Sequence, residues 1–336
     1  MKAALRRWCL LQSRIMAKHR SDTTRLGVLD IGSNTIHMLI VDAAPGSRPD
    51  PEASTKSTVR LMQYLKEDGC IKKAGIEAIL AGVDQGMKLA EEYNVTQLLP
   101  MATSAIREAP NGSKILQQIE QHIGQGVVVL SGNDEARLTF LAARRWYGWD
   151  AGRLLVLDIG GGSLEVALGA DEDPSLALSV PAGAGRITRE LLPEGMASAK
   201  ELESVREKVR DIMAPIAKAF DSEKSPDHAV ATSKTFRSLA RLAGNIVQTP
   251  SGDSWIMTRA QLDDWIPRLA AISPEQRVAL PGITVERTVQ IVGGGIVASE
   301  IMCMLDVEQV EICPWALREG SILRWLDQFG RTRLGF

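Results

Sequence analysis

Two carboxylates stand in near-identical settings 128 residues apart: Asp30 in VLDIGSN (28–34) and Asp158 in VLDIGGGS (156–163). Each closes an apolar, strand-like run. Each is followed by a turn of small residues, Gly32-Ser33-Asn34 in one case and Gly160-Gly161-Gly162-Ser163 in the other. Backbone N–H groups of such a turn can surround a phosphate, because no large side chain blocks the approach. A carboxylate beside a phosphate repels it unless a cation lies between, and hard oxygen ligands next to phosphate suit Mg²⁺. Glu165, on the returning strand beyond Asp158, can reach the same ion. A single Asp-x-Gly turn reads more simply as an aspartate capping its own turn. The repetition tips the reading towards a phosphate site with Asp158, Glu165 and Asp30 as its metal-side carboxylates.

Glu135 lies in SGNDEARL (131–138), at the start of a helical pattern in which Leu138 and Ala142 share its face. It either points inward, where it can act as a base, or is a carboxylate favoured by the helix N-terminus. Asp134 and Glu108 keep the second reading. Arg107, after Ala102-Thr103-Ser104, can fork onto phosphate oxygens or pair with a surface carboxylate. Lys234 and Arg237, after Ala231-Thr232-Ser233, carry the same two readings. The four histidines form no metal-binding spacing, and His37, in an apolar strand, reads as structural. Neither a GxSxG elbow nor a GxxxxGK[ST] loop occurs, so nucleophile-elbow hydrolases and P-loop enzymes lose support.

The elements that must position these residues are themselves repeated. After each turn the chain resumes apolar, IHMLIV from Ile36 and LEVAL from Leu164, which makes each unit a β-hairpin. The two Ala-Thr-Ser triplets recur at nearly the same offset, each between a short apolar segment and a helical pattern, with Ser and Thr as natural N-caps. Two motif pairs in one order at one offset indicate a duplicated domain. Helical periodicity covers 75–93, the stretch from Gly112, 131–148 and 198–220. Residues 127–130 read as a strand, 289–305 as strand, glycine turn and helix, and 310–329 as strand, proline break and terminal helix. Strands alternating with helices give an α/β fold.

The 336 residues exceed one ordinary core and allow two domains. These are expected at 25–150 and 151–315, with a helix at 316–330 able to pack back on the first. Residues 1–24, basic and with too short an apolar run for a signal peptide, read as a disordered extension in which Met16 offers a second start. A formal net charge of −2 gives no global field for nucleic acid or membrane, so an anionic substrate needs a local basic channel or a metal. None of the four cysteines forms a CxxC pair, so neither a zinc nor a dithiol redox site is suggested, which fits a reducing cytoplasm.

Taken together, GVLDIGSNTIHMLIVD, ATSAIREA, SGNDEARLTFLAARR, LVLDIGGGSLEVALG and ATSKTFRSLARLAG closely resemble the exopolyphosphatase / guanosine pentaphosphate phosphatase family, in the family's order. STKSTVRL and CPWALREG resemble family segments too, and the run from Lys234 to Arg241 resembles the short, two-domain actinobacterial exopolyphosphatases. The resemblance implies duplicated ribonuclease-H-like domains of the actin, sugar-kinase and heat-shock-chaperone superfamily, with a hinged cleft between them. It implies Glu135 as the catalytic glutamate that deprotonates water and Arg107 as a phosphate-gripping arginine. It implies substrate loops at Gly32, Ser33, Asn34 and Ser104, at Gly160, Gly161, Gly162 and Ser163, and at Thr232, Ser233 and Lys234. Many relatives have glycine where Lys234 stands. The metal implied is Mg²⁺, on Asp158 and Glu165 with Asp30 as a further candidate.

The activity implied is hydrolysis of the terminal phosphoanhydride of inorganic polyphosphate by a cytoplasmic homodimer. The alternatives are removal of the 5′-terminal phosphate of guanosine pentaphosphate, action on nucleoside di- or triphosphates, and a non-hydrolytic phosphate or nucleotide sensor. The retained Glu135 speaks against a sensor, and the SGxxEA and ATSxxR motifs speak against a sugar or acetate kinase.

Overall fold

The computed structural model describes residues 23–249 and 252–334. The expected N-terminal extension, Met16 included, lies outside the described residues except for Thr23 and Thr24, and Thr24 already opens β1. The first half runs β1 (Thr24–Ile31), β2 (Thr35–Ala43), β3 (Pro51–Thr58), α1 (Lys73–Glu92), β4 (Gln97–Ala102), α2 (Ser104–Glu108), α3 (Gly112–Ile123) and β5 (Val128–Val129). Helix α4 (Gly132–Tyr147) leads to the second half: β6 (Leu154–Ile159), β7 (Leu164–Gly169), β8 (Leu176–Val180), α5 (Ala184–Leu191), α6 (Ala199–Phe220), β9 (His228–Ala231) and α7 (Ser233–Ala243). There follow β10 (Asn245–Thr249), β11 (Gly252–Thr258), α8 (Arg259–Ala271), α9 (Pro274–Arg277), α10 (Ile291–Met304), β12 (Gln309–Ile312) and α11 (Leu317–Leu334).

The duplication read from the hairpins holds for whole sheets. The first sheet has the order β3-β2-β1-β4-β5, and the second contains β8-β7-β6-β9-β12 in the same arrangement, extended at one edge by β11 and β10. In each, the first three strands in chain order form an antiparallel meander and the next two add in parallel. The outer strands β3, β8, β10 and β11 escape the sequence patterns because they are short or polar.

Both faces of each sheet are covered, as continuous apolar central strands require. Leu29 and Ile31 of β1 pack with Ile79 and Val83 of α1, while Leu26 and Val28 pack with Ile322 and Leu326 of α11. Helix α4 lies on the second sheet, where Phe140 and Leu141 join Leu154, Val156 and Ala167. Packing therefore crosses the expected chain boundary after residue 150. The helix that leaves the first sheet covers the second, and the helix that leaves the second covers the first.

One expectation fails in the second half. Residues 291–304 form a helix throughout, with no preceding strand, and Gly293, Gly294 and Gly295 sit buried inside it. Their role is close approach rather than turning. A Cβ on Gly293 would stand 2.7 Å from Thr188 Oγ1, and one on Gly294 2.6 Å from Thr235 Cγ2. A glycine run marks a turn only when nothing has to lie against it.

Candidate active site

The two hairpin turns face each other across a cleft between the sheets. In register, Asp30 stands opposite His37 on β2, and Asp158 opposite Glu165 on β7. Gly32 N–H closes the first turn on Thr35 O at 3.0 Å, and Gly160 N–H closes the second on Ser163 O at 2.9 Å. Those two N–H groups are spent, so only the N–H groups of the residues that follow them in the turns are left for an anion in the cleft. The turns touch: a Cβ on Gly161 would lie 2.7 Å from Asn34 Nδ2, and one on Gly162 2.7 Å from Ser104 Oγ. Ser33 Oγ and Ser104 Oγ share a hydrogen bond of 3.0 Å, and Asn34 Nδ2 donates to Gln290 Oε1 at 3.3 Å across the two halves.

Between the turns lies a cavity of about 470 Å³. Its walls include Asp30, Gly32, Ser33, Asn34, Ser104, Glu135, Asp158, Gly160, Gly161, Ser163, Glu165, Ser233 and Lys234. Three of the expected site residues stand behind the wall instead. Arg107 donates through Nη1 to Glu135 Oε1 and to the Leu130 carbonyl, both at 2.5 Å. Thr232 Oγ1 donates to Asp158 Oδ2 at 2.6 Å. Gly162 is covered by Ser33 and Ser104. Thr103 and Thr232 occupy the N-cap positions of α2 and α7, but neither side chain caps its helix. The Thr232 hydroxyl is worth more on a buried carboxylate than on an N–H that faces an open cleft.

Ser131 and Asp134 form a reciprocal capping box at the start of α4. The capping work expected of any helix-start carboxylate thus falls to Asp134, and Glu135 turns inward, 7% exposed. Burial pushes the Glu135 carboxyl up to about 7; the Arg107 hydrogen bond and charge oppose this, while Asp30 and Asp158 add to it. Asp30 is raised to about 6, chiefly by burial, and its Oδ1 is buried without a hydrogen-bond partner. Burial raises Asp158 against the pull of Thr232, and raises Glu165 further with the help of Glu135 and Asp158. Ser179 Oγ donates to Glu165 Oε1 at 2.8 Å. Four carboxylates thus line one cavity, and Glu165 is repelled by two of the others, a repulsion that a cation between them would relieve.

A second set of side chains lines the cavity with the opposite sign: Lys56, Lys234, Arg237, Arg241, Arg287 and Arg318. Of these, Lys56, Arg241, Arg287 and Arg318 were not singled out from the sequence as site residues, although Lys56, Arg241 and Arg318 fall in segments quoted for the resemblance. Arg287 had no signal at all, since the segment that carries it forms neither strand nor helix. His37 also lines the cavity. Its position in an apolar strand concealed that it faces Asp30, as Glu165 faces Asp158. Ser233 begins α7 with φ +70°, a left-handed conformation unusual for a non-glycine residue and one held at the cavity wall.

The profile of the Ppx/GppA phosphatase family matches residues 39–329. Exopolyphosphatase 1 of Mycobacterium tuberculosis is 47% identical over 310 residues, which cover 90% of this chain and 88% of the relative. Exopolyphosphatase 1 of Mycobacterium leprae is 46% identical, with 90% of each chain covered. Among solved structures, an exopolyphosphatase from Cytophaga hutchinsonii superposes with a TM-score of 0.81 at 22% identity, covering 91% of this chain and 98% of that one. The Aquifex aeolicus member of the Ppx/GppA family gives 0.74 at 23% identity, covering 91% and 99%. At such identities the structural likeness speaks for the fold alone: two α/β domains of the duplicated, actin-like kind. The sequence matches go further, and over nearly all of its described length the chain belongs to the Ppx/GppA phosphatase family.

Proposed function

We propose that this protein is an exopolyphosphatase, which hydrolyses the terminal phosphoanhydride of inorganic polyphosphate and releases orthophosphate. The observation that carries the reading is a buried carboxylate, Glu135, in the same cavity as two small-residue turns contributed by opposite halves of the chain. The names of the mycobacterial relatives point the same way. Phosphoryl transfer to water asks for positioning and charge stabilisation more than for a covalent intermediate. Glu135 takes the proton of the attacking water, and Arg107 holds the carboxylate in place through Oε1. Backbone N–H groups of the residues after Gly32 and Gly160 hold the terminal phosphate. Cationic side chains of the opposite wall neutralise the rest of the chain.

The carboxylates fit a divalent cation. Asp158 and Glu165 are cross-strand neighbours, and Asp30 adds an unpartnered buried oxygen. Among the described residues no three His, Cys, Asp or Glu side chains form a closed ligand set. That suits Mg²⁺, which is held by one or two carboxylates and completes its shell with water and substrate oxygens. Mg²⁺ bound there would draw charge from the reacting phosphate.

Polyphosphate is favoured over guanosine pentaphosphate by the lining: among the described residues it contains no Trp, Tyr or Phe on which a base could stack. The same reading makes the protein a cytoplasmic homodimer. Cys70, Cys303 and Cys313 are free thiols, in keeping with a reducing compartment, and light scattering tests the dimer. No described helix is long and apolar enough to cross a membrane. The deciding assay is orthophosphate release from polyphosphates of several lengths, guanosine pentaphosphate and ATP, each with Mg²⁺ and with EDTA. Release from either nucleotide but not from polyphosphate would replace this reading with its rival.

A further inference from the structure

The carbonyls of the second-half turn are all taken up by one neighbour. Ala184 N–H, at the start of α5, donates to Gly160 O at 3.0 Å, and Arg186 N–H donates to Gly161 O at 3.0 Å. Arg186 Nε donates to Gly162 O at 2.9 Å. The first N–H groups of a helix have no partner within it, and here the turn satisfies two of them. Gly183 permits the approach, since a Cβ there would run into the backbone of Gly161, Gly162 and Ser163. Among the described residues none of α5 lines the catalytic cavity, so α5 lies behind the turn. The C=O and N–H of a trans peptide point opposite ways. With the carbonyls of residues 160–162 drawn back onto α5, the N–H groups of Gly161, Gly162 and Ser163 are left for the cavity side.

The same guanidinium reaches the other half of the chain. Arg186 Nη2 pairs with Glu108 Oε2, while Glu190, one helical turn on, stands further off at 3.9 Å. Glu108 ends α2, so the favour of a helix start does not account for it. Its other oxygen, Oε1, lies 3.6 Å from Arg107 Nη2, and Arg107 holds Glu135 through Nη1. Glu108 therefore stands between the arginine that braces the turn and the arginine that holds the base. We propose that Arg186 is a positioning residue for the reaction. It fixes the 160–163 turn with its N–H groups towards the terminal phosphate, and through Glu108 it keeps that turn in step with Arg107 and Glu135. This rests on the exopolyphosphatase reading and deepens it: the phosphate and the water that attacks it share one geometry only while Arg186 spans both halves.

The test uses the full chain with R186Q, R186K, E108Q and the double variant R186Q/E108Q. Binding of imidotriphosphate, a tripolyphosphate analogue whose P–N–P bridges resist hydrolysis, is measured calorimetrically with Mg²⁺. That reading separates affinity from the number of sites, and a merely structural defect lowers the number alone. kcat, KM and melting temperature are measured on the same preparations. R186Q should weaken the analogue roughly tenfold with the number of sites unchanged, the order expected for one hydrogen bond from a charged group. The fall in kcat should be at least as large, and equal on tripolyphosphate and long-chain polyphosphate, because the turn meets only the terminal phosphate. E108Q should lower kcat about threefold, and adding it to R186Q should lower kcat no further, because Glu108 acts through Arg186. R186K offers one ammonium where two separate donors are needed. It should keep the melting temperature through Glu108 without recovering the affinity. Unchanged affinity in R186Q, a loss of sites alone, wild-type affinity in R186K, or independent losses in the double variant would overturn the assignment. If R186Q does not fold, R186K and E108Q decide by the same readings. If the wild type binds the analogue but releases no orthophosphate from polyphosphate, the hydrolytic reading alone fails, and the binding results still decide on Arg186. If the wild type does not bind the analogue, the turn is no phosphate site and the inference falls with it.

Discussion

Glu135 directly follows Asp134 in sequence yet stands in a different environment, buried where Asp134 is exposed. If it is the base, Glu135→Gln lowers turnover on the order of 10²–10⁴-fold while polyphosphate still binds. Its carboxyl rises from 4.5 unperturbed to about 7 when folded, so the folded state holds the proton more tightly than the unfolded chain. Stability from this group is therefore complete below about pH 4.5 and is lost as pH rises through about 7. The neutral amide of Glu135→Gln escapes that loss, and the variant should melt above wild type at pH 8 (a value chosen about one unit above the folded pKa). Activity runs the opposite way, since the base must be ionised: phosphate release should climb through about pH 7. Arg107→Lys offers an independent check. Arg107 lowers the Glu135 pKa and reaches both Glu135 and the Leu130 carbonyl through Nη1, and Arg107→Lys puts a differently shaped, more strongly hydrated cation in that place. The variant should turn over more slowly, and the acidic limb of its pH profile should move to higher pH. A profile identical to wild type in shape and height would disconnect Arg107 from Glu135.

The helix that carries Glu135 is placed by another helix. Gly320 on α11 lies so close to α4 that a Cβ would stand 1.9 Å from the Leu138 carbonyl oxygen. Helix propensity alone favours Gly320→Ala by about 1 kcal/mol. The contact predicts the reverse, a net loss of about 1–3 kcal/mol from overpacking, because backbone cannot move aside as a side chain can. Since α4 must shift to admit the methyl group, turnover should fall beyond what the stability loss explains. Urea unfolding and phosphate release on one preparation check both parts; a stabilised, fully active variant would mean that the helices separate freely. Gly294 on α10 has a related role, since the Thr235 it packs against accepts the Arg287 hydrogen bond.

At the scale of the whole molecule, the exchanged helices α4 and α11 tie the two sheets together, and the cavity lies where the sheets meet. Arg186 and Glu108 add an ion pair between the halves. If the carboxylates of the cavity hold a divalent cation, the stability of the fold should depend on it. Glu165 is raised by burial and by repulsion from Glu135 and Asp158. Without metal, Glu165→Gln removes that repulsion and should melt above wild type at neutral pH. With Mg²⁺ the order should reverse, because a ligand that binds only the folded state stabilises in proportion to its affinity, and the variant binds it more weakly. Melting curves in EDTA and across a Mg²⁺ titration read this directly. Parallel shifts in the two proteins would take Glu165 out of the metal site, and full turnover of the wild type in excess EDTA would dismiss the metal from the reaction.

The duplication, the two hairpins with small-residue turns, the α/β class and the family were determined by the sequence itself, because each rests on local pattern: apolar strands, small-residue turns and motifs at a constant offset. Asp30, Asp158 and Glu165 could be placed for the same reason, since a hairpin fixes its own register. What faces a hairpin from elsewhere in the chain was beyond such patterns. Lys56 on an edge strand and Arg287 between helices reach the cavity only when the sheets pack together, and no local periodicity encodes that meeting. Glu135 could not be assigned to a capping or an inward role until tertiary structure gave the cap to Asp134 and the burial to its neighbour. The glycines of α10 mark the limit most plainly. In sequence, Gly293 to Gly295 signal a turn; in the folded protein they let a buried helix lie against α5 and α7, and only the packing of three helices decides between the two.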